Sequence, residues 1–166
     1  MSIYYLSQDN KRCISCRACQ VQCKINKRLG VGPKPSQIVE VGPVEREDSP
    51  QANYVFLSCF HCENPWCVAA CPNGAMQKRF KDGIVYINHD LCAGCKSCIV
   101  ACPWGAPQWD EQRGKAVKCD YCKDRLDAGL RPACVTACPT DSLKFDTANK
   151  TENIKRNRYA KEISNI

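Results

Sequence analysis

The sequence predicts an α+β chain of short strands and single helical turns, with little continuous hydrocarbon core. Three observations carry that prediction. Sixteen of the 166 residues are cysteine, and they fall into four runs that share one spacing rule. Each run closes with two cysteines four positions apart, the separation that brings side chains onto one side of a helical turn. Between the runs stand only brief β-prone stretches, with Asn-Gly and Asp-Gly turn signals beside them.

The first run, CISCRACQVQC, holds Cys13, Cys16, Cys19 and Cys23 with two, two and three residues between them, and Lys24 follows. The second holds Cys59, Cys62, Cys67 and Cys71, its middle gap widened to four, and ends at Pro72. The third, CAGCKSCIVACP, returns to two, two and three with Cys92, Cys95, Cys98 and Cys102. The fourth holds Cys119, Cys122, Cys134 and Cys138, its middle gap stretched to eleven. The first gap is always two and the last always three, so the runs form an internal repeat with insertions at one point, where loops are expected. The proline after runs two, three and four should stop each closing turn.

Residues 72–91, PNGAMQKRFKDGIVYINHDL, read as a small hairpin between runs two and three with IVYIN as a strand. QIVEVGPV, NYVFLS and LKF are further strand candidates, and residues 24–58, rich in Gly, Pro and charge, form an insertion between runs one and two. After Phe145 the chain turns polar and basic, so residues 147–166 are expected to be a tail or docking helix outside a domain spanning 1–146.

A C-x2-C-x2-C-x3-C-P run is the bacterial-ferredoxin pattern for thiolate ligation of a [4Fe–4S] cluster, with its fourth cysteine ligating the neighbouring cluster. Four runs therefore predict four [4Fe–4S] clusters on sixteen thiolates. The short hairpin between runs two and three is the layout of a two-cluster ferredoxin, which leaves runs one and four as the other half. With the fourth ligand exchanged inside each half, the expected quartets are Cys59, Cys62, Cys67 with Cys102; Cys92, Cys95, Cys98 with Cys71; Cys13, Cys16, Cys19 with Cys138; and Cys119, Cys122, Cys134 with Cys23. So short a chain cannot bury much hydrocarbon, so the clusters should act as core and the metal-free chain should be unfolded.

The opening MSIYYLSQDNKRC has no basic stretch leading into an apolar one, so a cytoplasmic address is expected unless a partner carries the export signal. Without such a signal the cysteine count points to metal rather than disulfides. Zinc favours isolated tetrahedral sites and gains nothing from a third cysteine two residues on. A zinc-stabilised interaction module is the rival from a different class, and brown iron–sulfur absorbance separates the two. The formal charge of +7 suggests nucleic acid only while the cysteines are counted as neutral. Each oxidised core with four thiolates carries about −2, so four clusters bring the chain near −1 and the basic excess reads as counter-charge. No nucleic-acid motif and no apolar stretch of membrane-spanning length is present.

An all-cysteine shell leaves no iron open to substrate, so one-electron transfer without catalysis is expected. His61 and His89 lie in no catalytic motif: His61 should pack beside its cluster or hydrogen-bond to sulfur, and His89 should sit at a turn. Phe60, Trp66, Trp104, Trp109 and Tyr121 read as core packed around the clusters. Arg17, Lys96, Lys118, Lys123 and Arg125 stand near the cysteines and should raise local potentials and help partners dock.

Residues 71–110, from CPNGAMQKRF to CPWGAPQWD, and KCDYCKDRLDAGLRPACVTACPTDSLKF after them resemble the four-cluster ferredoxin subunits of molybdenum and tungsten oxidoreductases such as dimethyl sulfoxide reductase, polysulfide reductase and formate dehydrogenase. The resemblance covers nearly all of residues 10–146 and implies two interleaved ferredoxin-like dicluster halves in a wire between a catalytic pterin subunit and a second redox partner. Some such subunits place tryptophan at one ligand of run three and carry a three-iron cluster; here the run is all cysteine. CISCRACQVQCK and CFHCENPWC look most like the small polyferredoxin subunits of tungsten-dependent aldehyde oxidoreductases, which would imply a flavin, NAD-linked or ferredoxin partner. A molybdenum reductase or formate dehydrogenase subunit and a free polyferredoxin carrier are the alternatives. Copies of the protein could also stack end to end.

Overall fold

The computed structural model describes residues 4–46 and 49–164. Four two-stranded antiparallel sheets and a set of short helices surround the cysteines. Strand β1 (Tyr4–Gln8) pairs with β8 (Leu143–Thr147), setting Leu6 opposite Phe145, and so fastens the segment ahead of run one to the segment after run four. Tyr4 stacks on Phe145 with ring centroids 5.0 Å apart. The 24–58 insertion contains the longest sheet, β2 (Gln37–Arg46) with β3 (Ser49–Leu57). The hairpin between runs two and three is β4 (Met76–Lys78) with β5 (Val85–Ile87), and β6 (Gln108–Asp110) with β7 (Lys115–Val117) forms another between runs three and four.

The closing turn of each run is helical. Helix α2 (Trp66–Ala69) carries Cys67, α3 (Ser97–Ala101) carries Cys98, and α5 (Ala133–Thr136) carries Cys134; all three are four or five residues long and each run then meets its proline. Run one lacks that proline, and its helix α1 (Ala18–Lys27) continues for ten residues through both Cys19 and Cys23. Run four's insertion, expected as loop, contains a helix of its own, α4 (Lys123–Asp127). Helix α1 packs on α5 and α2 on α3, so runs one and four meet on one side and runs two and three on the other.

Eight of the twenty buried apolar residues among those described are cysteines, so sulfur makes up much of the interior. Phe56, Ile84, Tyr121, Val135, Leu143 and Phe145 pack with Cys19, Cys59, Cys119 and Cys134, while Met76, Val85 and Ala116 pack with Cys67 and Cys98. The aromatic residues depart from the core reading. Tyr121 is buried, but Phe60, Trp66 and Trp104 are 57%, 61% and 62% exposed, and the ring of Phe60 meets that of Trp104 edge-on at 5.4 Å. Helix α2 is a single turn that buries Cys67, so Trp66 at its start is left pointing outward. Helix α6 (Ala148–Ser164) is a polar surface helix with no buried residue. Among the described residues no helix is long and apolar enough to cross a membrane.

Candidate functional site

Each C-x2-C loop makes the same backbone turn. The residue before the second cysteine is left-handed in all four runs: Ser15 (φ 56°), His61 (φ 48°), Gly94 (φ 72°) and Tyr121 (φ 52°). Only run three uses glycine there, so the other three hold side chains in a conformation that costs energy and persists only because the surroundings enforce it. The turn curls the loop around its sulfurs. In run two the His61 amide donates to Cys59 Sγ at 3.4 Å. Further donors reach other sulfurs: the Met76 amide to Cys71 at 3.4 Å, the Ser142 amide to Cys138 at 3.2 Å, and Asn26 Nδ2 to Cys122 at 3.7 Å.

Sulfurs from different runs come together. Cys13, Cys16 and Cys19 line one cavity together with Cys138, and Cys92, Cys95 and Cys98 line another together with Cys71. In the interior, Cys67 feels the charges of Cys59, Cys102 and Cys62, and Cys134 those of Cys119, Cys122, Cys23 and Cys19. Burial raises the thiols of Cys19 and Cys98 to about 11 and that of Cys119 to about 12, and neighbouring thiolates add to the rise. Cys134 is raised in the same way. Such thiols ionise only when a cation takes the place of the proton, so metal binding here releases protons and is coupled to folding. Cys138 goes the other way: burial raises it, but donation from Leu143, Thr140 and Ser142 outweighs burial and leaves it lowered. Cys95 is lowered by the Ser97 hydroxyl and amide.

Among the described residues no three His, Cys, Asp or Glu side chains close on a single ion. Neither histidine joins a sulfur group as a ligand. His61 is 1% exposed, lies 3.7 Å from the Tyr121 ring and accepts the Val85 amide on Nδ1 at 2.9 Å. Burial, with Lys118 and Lys27 nearby, holds it well below the usual histidine value, so it is neutral with its proton on Nε2. His89 sits in a turn at the edge of a cleft of about 390 Å³.

That cleft lies beside Cys122, and three of the cations lining it are paired. Lys27 pairs with Asp120 at 2.5 Å, Lys123 with Asp124 at 2.6 Å, and Arg113 with Asp110 at 3.4 Å. Nothing in the spacing points to Lys27, Asp120 or Asn26, because only the fold brings α1 against run four. Of the cations beside the cysteines, Lys118 is buried, Lys96 lies over the Trp109 ring at 4.3 Å, and Arg125 donates to the Arg131 carbonyl.

The known 4Fe-4S dicluster domain matches residues 50–148, and a second 4Fe-4S dicluster domain matches residues 12–75. The chain belongs to the 4Fe-4S dicluster family. Two dicluster domains bring four [4Fe–4S] clusters. This dicluster protein is 42% identical over 144 residues to the B subunit of the anaerobic dimethyl sulfoxide reductase of Escherichia coli, covering 82% of this protein and 70% of the relative. It is 41% identical over 151 residues to the thiosulfate reductase electron transfer subunit PhsB of Salmonella typhi, covering 90% and 78%. The B subunit of the polysulfide reductase of Wolinella succinogenes is 42% identical over 144 residues, covering 86% and 75%. These relatives favour the molybdenum-reductase alternative over the tungsten aldehyde-oxidoreductase reading.

The residues of the dicluster protein fit such clusters. The Nε2 of buried His61 has no hydrogen-bond partner among the described residues, and it stands in the C-x2-C loop between Cys59 and Cys62. A cluster sulfur is the acceptor that chemistry would place within reach of that N–H.

Proposed function

We propose that the protein is the iron–sulfur electron-transfer subunit of a molybdenum reductase, relaying single electrons between a pterin-containing catalytic subunit and a second redox partner. The observation that supports this most directly is that cysteines far apart in sequence line shared cavities, Cys138 with Cys13, Cys16 and Cys19, and Cys71 with Cys92, Cys95 and Cys98. Charge coupling of Cys98 to Cys67, of Cys119 to Cys59 and of Cys134 to Cys19 is in keeping with a continuous path. In this reading all sixteen cysteines are ligands. The wire runs from Cys92/Cys95/Cys98/Cys71 to Cys59/Cys62/Cys67/Cys102, on to Cys119/Cys122/Cys134/Cys23, and ends at Cys13/Cys16/Cys19/Cys138. Runs two and three form one dicluster half of a 1–146 unit and runs one and four the other, in keeping with the packing of α2 on α3 and of α1 on α5.

When bound, the clusters supply the one-electron carriers. The protein's own residues do the rest. Thiolates hold the irons, and amide donors such as those of His61, Met76 and Ser142 lower electron density on sulfur. Buried Ile84, Tyr121 and Phe145 exclude water from the middle of the path. Anaerobic purification with whatever accompanies the protein tests the proposal through metal content. About sixteen irons per chain, with molybdenum in a co-purifying subunit, are expected. Tungsten in that subunit would return the assignment to the aldehyde-oxidoreductase branch, and zinc with little iron would overturn electron transfer altogether.

A further inference from the structure

The joint between the two inner sulfur groups contains a charge that the protein itself does not neutralise. Lys118 is 4% exposed. Its ammonium donates to the carbonyls of Val85 and Cys119, two neutral acceptors, and no carboxylate lies within ion-pair distance among the described residues. Asp120 feels its charge but is already engaged by Lys27. A buried ammonium held only by carbonyls is strongly disfavoured unless an anion stands near it.

Its hydrogen bonds tie it to both inner groups: Lys118 directly precedes Cys119 and donates to that residue's carbonyl, and it donates to Val85, whose amide donates to His61 between Cys59 and Cys62. It is also fixed in place: the Val85 residue accepts from Lys118 on its carbonyl and donates to His61 from its amide, and Val85 is fully buried. One residue thus sets the lysine, which precedes Cys119, and the histidine, which stands between Cys59 and Cys62, at the boundary between the run-two and run-four groups.

We propose that Lys118 is the positioning residue of the central electron step: its buried ammonium holds up the reduction potentials of the two inner clusters against their mutual repulsion. Each cluster with four thiolates is already an anion and becomes more negative on reduction, so a fixed cation between two of them favours the reduced state of both. The cavities around Cys16 and Cys95 have neither Lys118 nor Val85 in their lining.

The inference rests on the four-cluster electron-transfer reading, and one experiment separates their failures. Lys118→Met removes the charge at similar length, Lys118→Gln removes it while keeping a donor for the carbonyls, and Lys118→Arg keeps it. Each variant is purified anaerobically with its partners, its iron is counted, and its clusters are titrated by redox potentiometry with EPR detection. In Lys118→Met, two of the four midpoint potentials should fall by at least a tenfold change in the reduction equilibrium, about 59 mV for a one-electron couple, while the other two stay. Lys118→Arg should leave all four in place. If the Met variant does not retain its clusters, Lys118→Gln carries the same expectation. Full iron content with no shift, or with all four potentials shifting together, would overturn the proposal. Wild-type protein without iron–sulfur clusters would instead overturn the reading on which it rests.

Discussion

Cys71 stands in run two of the sequence, yet it lines the cavity of Cys92, Cys95 and Cys98. Cys71→Ser should therefore damage the run-three cluster and leave run two's own triplet occupied. Four clusters hold about sixteen irons, so losing one leaves about twelve. The decisive comparison uses double variants. Cys71→Ser with Cys98→Ser takes two thiolates from one group and should leave about twelve irons, whereas Cys71→Ser with Cys67→Ser strikes two groups and should leave about eight. Changes that share a target are non-additive and changes at separate targets add, which gives the pairs their meaning. Serine keeps an acceptor for the Met76 amide that now donates to Cys71 Sγ, so local backbone structure is preserved. Iron and sulfide assays on anaerobically purified protein, with spin quantitation after full reduction, read the outcome. About eight irons in the first pair and about twelve in the second would refute the crossed arrangement.

Gly94 has φ +72°, and a Cβ built on it would stand 2.8 Å from the Gly114 carbonyl oxygen. Gly94→Ala should cost about 2 kcal/mol from the left-handed backbone and the clash with a fixed carbonyl, with run three's cluster lost first; a holoprotein with wild-type iron and an unchanged urea midpoint would contradict this. Asp120 is burdened by burial, but Lys27 holds its carboxyl below the ordinary value. Its contribution is thus present above the unfolded carboxylate value, about 3.9, and lost as pH falls through the folded one. Asp120→Asn should lower stability at pH 7 by about 2 kcal/mol, less than the roughly 3–5 kcal/mol for breaking a fully buried pair because both side chains keep some exposure. The gap from wild type, followed by cluster absorbance in urea, should close as the medium is made acid; a gap independent of pH would show that the pair is not its source.

Much of this molecule was legible from spacing. The α+β class, the repeated C-x2-C loops, the helical turn closing each run and the β4–β5 hairpin all depend on residues close in sequence or on a repeat whose parts are alike. The missing proline after Cys23 even explains why α1 runs on where the other turns stop. Strand β1 escaped notice because its five residues carry no pattern beyond two tyrosines; its partner lies beyond run four. Likewise QWD and KAV are too short to announce β6 and β7, which pairing with each other makes visible.

By itself the sequence determined which residues could ligate iron and how they repeat, because a two-residue loop and a helical turn are local geometries. Tertiary structure alone decided where charge and aromatic rings end up. Lys118 and Lys123 look alike beside their cysteines, yet one is sealed against Val85 and the other pairs with Asp124 nearer the surface. Phe60 and Tyr121 both sit inside a C-x2-C loop, yet one is exposed and the other lies against His61 in the interior. Lys27 finds Asp120 across 93 positions. Burial and ion pairing are set by what arrives from the rest of the protein, and no local spacing encodes that arrival.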